Sequence, residues 1–201
     1  MPQAAILPPR NAPANAAQQP ALQTPKATPP PDPVPPDTLV IYTDGSGPDR
    51  GSTNQAAGWG YVVVKGGDGE ADDHATELHS RHGGVVTNNQ HAQHVGAERA
   101  TNNTAELSAI AHALEYVTAD HSRRPVLIRF DSLYAGNMAI GKWRVRKNQA
   151  LVMRVRALWA KAHNHLHGRL WAMHVYGHTG HKWNDRADEL ARQGKAQGGA
   201  P

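Results

Sequence analysis

Four carboxylates stand where the hydrophobic pattern predicts that strands end and helices begin: Asp44, Glu106, Asp131 and Asp188. Asp44 and Asp131 each follow a β-rich apolar run, whereas Glu106 and Asp188 lie in the early turns of predicted helices. Singly, such acids are typical of turns and helix starts. Together at one sheet edge, they would repel one another unless a cation lay among them. Because all-oxygen ligation suits Mg²⁺ or Mn²⁺ better than Zn²⁺, the four residues predict a divalent-cation site.

The positive charge of the chain is concentrated in one segment. The 201 residues include 21 Lys or Arg and 17 Asp or Glu, a net charge of +4. Residues 132–184 contain no acidic residue but carry nine cations: Lys142, Arg144, Arg146, Lys147, Arg154, Arg156, Lys161, Arg169 and Lys182. Since solubilising surfaces normally mix both signs, this segment favours a polyanionic partner over a merely solvated helix face. A basic strip beside an acidic cation site is typical of a phosphodiester nuclease.

The elements that must position these residues follow from the hydrophobic periodicity. The pattern predicts strands at 39–43, 57–64, within 75–86, at 126–130 and at 170–176, a loop at 87–103, and helices at 104–118, 132–140, 150–163 and 183–193. Three strands followed by alternating helices and strands predict an α/β layer fold with a mixed sheet.

The composition separates a domain from its tails. Residues 1–37 hold 12 of the 15 prolines and eight alanines, which predicts a disordered tail, and residues 196–201 predict a second one. The chain has no cysteine and no apolar run long enough to span a membrane, and residues 1–10, which lack a basic stretch followed by an apolar one, predict no secretory signal. We therefore expect an intracellular, cytoplasmic protein without membrane contact, with nuclear or organellar placement left open, that acts as a monomer.

Five short motifs occur in a fixed order over residues 38–195: TDGS at 43–46, TNNTAEL at 101–107, DSLY at 131–134, GHTGH at 177–181 and NDRADELA at 184–191. Each lies in the strand or helix context that its chemistry would need. In this order they resemble the motifs of the type 1 ribonuclease H family. The resemblance implies a ribonuclease H-like fold, with a mixed five-stranded sheet and helices on both faces, and makes residues 38–195 the catalytic domain.

The same resemblance implies an activity and a mechanism. The substrate would be an RNA/DNA hybrid, of which the RNA strand is hydrolysed to leave 5′-phosphate and 3′-hydroxyl ends. Two Mg²⁺ ions about 4 Å apart, or Mn²⁺ in their place, would lie among the four carboxylates, with one activating water and the other stabilising the leaving oxygen. His178 would assist proton transfer or product release from its Gly-flanked loop.

The resemblance also implies which residues contact the hybrid. Asn102 and Asn103, joined by Asn137, would read the minor groove, where the 2′-hydroxyl distinguishes RNA from DNA. Thr101 and Asn148 would hold a DNA phosphate. Within residues 141–148, hereafter the basic loop, Trp143 would pack on a deoxyribose or serve as an aromatic anchor, and the cations would clamp the backbone: Lys142, Arg144, Arg146 and Lys147.

Three features depart from the family pattern. A long insertion between Asp44 and Glu106 carries five histidines without compact ligand spacing: His74, His79, His82, His91 and His94. The basic segment is shorter than the handle of the bacterial enzymes, and residues 1–37 lack the aromatic and basic residues of a hybrid-binding module. Three alternatives therefore stay open: the ribonuclease H portion of a reverse transcriptase or mobile element, a related nuclease of the same fold, and a non-catalytic binder.

Overall fold

The computed structural model describes residues 28–48, 56–66, 74–177 and 179–198. Within these ranges the chain forms β1 (Leu39–Ser46), β2 (Gly58–Lys65), β3 (Thr76–Gly84), α1 (Asn102–Ala119), β4 (Val126–Phe130), α2 (Leu133–Ala139), α3 (Gln149–His165), β5 (Leu170–His174) and α4 (Lys182–Ala196). Most of the predicted N-terminal tail and residues 199–201 lie outside the described residues. Among the helices described here, none has both the length and the apolar character needed to cross a membrane.

The five strands form one mixed sheet in the order β3-β2-β1-β4-β5. β2 pairs antiparallel with β1 and β3, whereas β4 pairs parallel with β1 and β5. Thr43 of β1 lies opposite Phe130 of β4, so the next residues, Asp44 within β1 and Asp131 just after β4, lie side by side where the pairing of these two strands ends. The predicted mixed five-stranded sheet is confirmed, and its register places two of the four acids side by side.

Helices cover both faces of the sheet, as expected. On one face, α1, α2 and α3 pack over a core that includes Ile41, Trp59 and Ile128. On the other face, Trp183, Ala187 and Leu190 of α4 pack with alternate strand residues of a second core. Strands β1 and β4 are buried from both sides, which explains the apolar runs at residues 39–42 of β1 and 126–128 of β4.

Helix α1 begins two residues earlier than the pattern predicts. Thr101 is its N-cap, and a reciprocal pair of hydrogen bonds with Thr104 closes a capping box. The expected loop therefore ends before Asn102, and Glu106 lies in the second turn of the helix and not in the first. The predicted first and last strands differ similarly, because β1 continues to Ser46 and β5 ends at His174.

Glycines allow α4 to approach the sheet very closely. A Cβ atom on Gly58 of β2 would overlap the backbone of Ala191 and Lys195, and one on Gly60 would overlap Ala187 and Ala191. Helix α4 thus lies against the backbone of β2, and this contact fixes how far along the sheet Asp188 is presented.

We expect Gly58→Ala to destabilise the protein by about 2–3 kcal/mol, because the added methyl group cannot be accommodated without moving α4. Urea denaturation followed by circular dichroism would measure the loss. Gly66→Ala is the control, since nothing lies near its Cβ position and only its positive φ of 91° opposes the change, at about 1 kcal/mol. Equal losses at both positions would contradict the close packing of α4.

Candidate active site

Three of the four predicted acids meet at the edge where β1 and β4 end. Asp44 lies within β1, Asp131 directly follows β4, and Glu106 projects from the second turn of α1. Each offers a carboxylate oxygen, and these three atoms lie within 4.8 Å of one another. Asp44 and Glu106 are only 6% and 5% exposed, and Asp131 is half-buried.

The start of α1 is held against the end of β1, which brings Glu106 to the site. A side chain on Gly45 would overlap the backbone of Ala105 and Glu106, so only glycine permits this approach. The Gly47 amide donates to Asn102 Oδ1 at 3.0 Å, and Asn102 Nδ2 lies 3.4 Å from Glu106 Oε1. Asn102 therefore joins the strand end to the carboxylate, a role that the sequence interpretation, which placed it in the minor groove, did not include.

Burial and crowding keep protons on these groups. Burial, followed by the charge of Asp131, raises the pKa of Asp44 to about 8, although the Gly45 amide lowers it by donating to Oδ1 at 2.6 Å. Burial and the charges of Asp44 and Asp131 raise the pKa of Glu106 well above its ordinary value. A divalent cation among the three would replace those protons by direct ligation. The donor set, carboxylate oxygens only, fits Mg²⁺ or Mn²⁺.

Asp188 is not part of the group of three carboxylates whose oxygens lie within 4.8 Å of one another, but its charge acts on that group. After burial and the charge of Asp131, the charge of Asp188 is a further cause that raises the pKa of Asp44. Its own Oδ2 accepts from Arg192 Nη2 at 2.6 Å, one turn further along α4. The structure thus brings three of the four predicted acids together and places the fourth within electrostatic reach, ion-paired with an arginine.

The loop after β5 passes directly beside Asp131. His174 Nε2 lies 3.0 Å from the backbone oxygen of Asp131, and a Cβ on Gly177 would lie 2.7 Å from Asp131 Oδ2. The next residue, His178, lies outside the described residues. The sequence interpretation gave His174 no role. The sequence places His174 at the end of the strand that neighbours β4, and this position could have indicated that it lies near Asp131.

The residues expected to contact a DNA phosphate already have structural partners. Thr101 caps α1: its Oγ1 accepts from the Thr104 amide at 3.2 Å, and its own amide donates to Thr104 Oγ1 at 2.9 Å. Asn148 Nδ2 donates to the hydroxyl of Tyr134 at 3.1 Å. Asn103 is exposed in the first turn of α1.

The basic loop connects α2 to α3 and presents its cations to solvent. Lys142, Arg144, Arg146 and Lys147 lie along it at or near the surface, and the side chain of Trp143 is 46% exposed. Arg156 of α3 holds the loop from below, because its guanidinium donates to the carbonyls of Met138 at 2.9 Å and Trp143 at 2.8 Å. Asn137 Nδ2 donates to the Leu133 carbonyl at 2.7 Å.

The histidines of the insertion make separate structural contacts. The ring of His79 on β3 stacks on Tyr116 at 4.7 Å between centroids, and its Nε2 lies 3.3 Å from the hydroxyl of Tyr61. His94 Nε2 lies 3.2 Å from the Ala97 carbonyl. In the part of the chain that the structure describes, the acidic triad alone has the spacing of a metal site.

The fold and the site define an α/β protein with a carboxylate site for divalent cations at the edge of a mixed sheet. The model of the RNase H family matches residues 36–196. The ribonuclease H of Thiobacillus denitrificans is 30% identical over 177 residues, which cover 80% of this chain and 95% of that protein. The chain belongs to the RNase H family.

Two further similarities have narrower scope. The ribonuclease H of Tropheryma whipplei (strain Twist) is 34% identical over 111 residues, which cover 49% of this chain and 64% of that protein, slightly under two thirds of its length. Among solved structures, RNase H1 of the archaeon Halobacterium salinarum superposes with a TM-score of 0.51 at 26% identity, covering 78% of this chain and 96% of that one. This structural similarity confirms the predicted ribonuclease H-like fold.

We expect Asp44→Asn to stabilise the cation-free protein at pH 8 by about 1–3 kcal/mol. The unfolded carboxyl, with a pKa near 3.8, loses its proton far below the folded one, with a pKa of about 8. Between these values the folded state binds more protons, so wild-type stability falls as pH rises. Urea denaturation in EDTA at pH 5 and pH 8 would show a weaker fall in the variant.

Asp37→Asn is the matched control, because Asp37 is exposed and its replacement should change the free energy of unfolding by less than about 0.5 kcal/mol. If Asp44→Asn left the stability at pH 8 unchanged, the crowded carboxyl group would not carry the electrostatic cost inferred for it.

Proposed function

We propose that this chain is an endoribonuclease that hydrolyses the RNA strand of RNA/DNA hybrids. The observation that carries the proposal is the convergence of Asp44, Glu106 and Asp131 within 4.8 Å in a member of the RNase H family. A protein that only binds a polyanion gains nothing from three crowded carboxylates, since they repel phosphate.

The carboxylates are proposed to hold divalent cations, with Asp188 as the fourth ligand. When bound, a pair of Mg²⁺ or Mn²⁺ ions would supply an activated water and a counter-charge for the leaving 3′-oxygen, giving 5′-phosphate and 3′-hydroxyl products. The other residues of the protein hold the carboxylates in position. The Gly45 amide orients Asp44, Asn102 orients Glu106, and the backbone around Asp131 is fixed by pairing of the preceding strand and by His174.

His178 is proposed to carry a proton to or from the reacting groups or to assist product release. The residue before it, Gly177, lies against the Asp131 carboxylate. Imidazole titrates near neutral pH, and the nearby Gly177 and Gly180 carry no side chains that would crowd it.

Recognition of the hybrid is proposed to extend from the site along α1 and α2 to the basic loop. Asn102, Asn103 and Asn137 would face the minor groove, and Thr101 with Asn148 would hold a DNA phosphate. The cations of the basic loop would add affinity without base preference, because phosphate contacts carry no sequence information. Asn102 would combine this contact with its hydrogen bond to Glu106.

The proposed organisation is one catalytic domain over residues 38–195, with tails at 1–37 and 196–201, acting as a monomer. The family match over residues 36–196 supports the domain limits. Helix α4 continues to Ala196, so the C-terminal tail would begin at the helix end.

A labelled RNA strand paired with DNA, paired with RNA or left single tests the activity directly. We expect cleavage only in the DNA pairing, dependent on Mg²⁺ or Mn²⁺ and abolished by EDTA. Asp44→Asn, Glu106→Gln and Asp131→Asn should each lower kcat by about 100-fold or more, because each removes a charge on which the reaction depends. End-labelling of the products would identify the phosphate and hydroxyl termini.

Asp185→Asn is the control, since this exposed acid on α4 lies outside the site and should leave kcat unchanged. Equal cleavage of the RNA duplex would instead indicate a related nuclease of the same fold. Tight binding of the hybrid without cleavage in either metal would indicate a binding module and overturn the proposal.

Neutralising the basic loop should weaken substrate binding and spare the chemical step. With Lys142, Arg144, Arg146 and Lys147 replaced by Gln, we expect a raised KM, a nearly unchanged kcat, and a smaller dependence of log KM on log salt concentration. Removing one phosphate contact should reduce that slope by about 0.7–0.9.

The double variant Lys65→Gln/Arg81→Gln, at exposed positions outside the basic segment, should keep the wild-type slope. An unchanged slope in the loop variant would mean that the loop does not contact phosphate.

A further inference from the structure

Arg192 is placed to compete for the fourth carboxylate of the site. Asp188 and Arg192 are four residues apart on α4, so their side chains lie on the same side of the helix. The Arg192 Nη2 atom donates to Asp188 Oδ2 at 2.6 Å, a charge-assisted hydrogen bond. The three other acids contribute oxygens within 4.8 Å of one another, a group that does not include Asp188.

The ion pair between Asp188 and Arg192 can separate at a low cost in free energy. The Asp188 side chain is 22% exposed and the Arg192 side chain is 63% exposed. The guanidinium is therefore largely hydrated, and separating the pair costs little interaction free energy. Exposed ion pairs contribute only a modest free energy, which a divalent cation bound by several carboxylates can exceed.

Both members of the pair act on the acidic group beside them. The charge of Asp188 is one of the minor causes that raise the pKa of Asp44, after burial and Asp131, and the charge of Arg192 lowers it. Through its hydrogen bond to Asp188 Oδ2, the Arg192 guanidinium lies on one of the carboxylate oxygens proposed to bind the cation.

We propose that Arg192 competes with the divalent cation for Asp188 and thereby sets the cation affinity of the site. The inference rests on the proposed function, in which Asp188 is a ligand. Arg192 is a positioning residue: it acts on the cation only through Asp188, and a cation that takes Oδ2 must first displace the guanidinium.

Titration calorimetry of the full chain with Mn²⁺, without nucleic acid, tests this competition. Arg192→Gln should bind Mn²⁺ about three- to tenfold more tightly than wild type, whereas Arg192→Lys, which keeps the charge, should shift the affinity less. Arg186→Gln is the control, because it breaks ion pairs on the same helix, with Glu189 and with Glu77 of β3, and should leave the Kd for Mn²⁺ unchanged.

A double-mutant comparison separates competition from a general change in electrostatic field. In an Asp188→Asn background, competition requires that Arg192→Gln no longer tightens Mn²⁺ binding. The same tightening in both backgrounds, or an unchanged Kd in Arg192→Gln, would overturn the inference. Circular dichroism of each variant would establish that the fold is intact.

The cleavage assay distinguishes this inference from the proposed function. Hybrid cleavage by wild type together with an Arg192→Gln Kd equal to wild type overturns the inference alone. Absence of hybrid cleavage with an Asp188-dependent change in Kd overturns the substrate assignment and supports the role of Arg192.

Discussion

The mutual repulsion of three carboxyl groups at the end of a buried sheet is the constraint on which the site depends. Asp44 and Glu106 are almost fully buried, and the charges of Asp44 and Asp131 raise the pKa of Glu106. Such groups move apart unless the elements that carry them cannot move. Here they cannot, because β1 and β4 are buried on both faces and pair in a fixed parallel register. The apolar core therefore holds together carboxyl groups that repel one another when they are ionised.

Glycines at the contacts between helices and strands determine how far apart the carboxylates lie. Gly45 lets the start of α1 touch the end of β1, and Gly58 and Gly60 let α4 lie against β2. A side chain at any of these positions would move a whole helix, and with it Glu106 or Asp188. The distance between carboxylates is thus set by backbone contacts far more than by the carboxylates' own flexible side chains.

The sequence predicts the parts of this arrangement that depend on periodicity. The buried apolar runs that lead to Asp44 and Asp131 can be read from the sequence, although β1 continues past Asp44 to Ser46, and the parallel pairing follows from the order of elements. It does not predict features that depend on side-chain partners. The capping box at Thr101 moves the start of α1, Asn102 turns toward Glu106, and Arg192 takes an oxygen of Asp188. Each of these polar side chains could form a hydrogen bond with several other residues, and the sequence alone does not show which partner it has in the folded protein.

The distribution of charge links cation binding to substrate binding. The basic loop attracts a phosphate backbone, whereas ionised Asp44, Glu106 and Asp131 repel it at the point where cleavage is proposed. Protons relieve that repulsion at neutral pH, since the pKa of Asp44 is about 8, but a protonated carboxyl group is a poor ligand. A divalent cation relieves it while keeping the ligands ionised. Whatever favours the cation therefore also favours phosphate at the same edge, and by linkage the phosphate favours the cation equally.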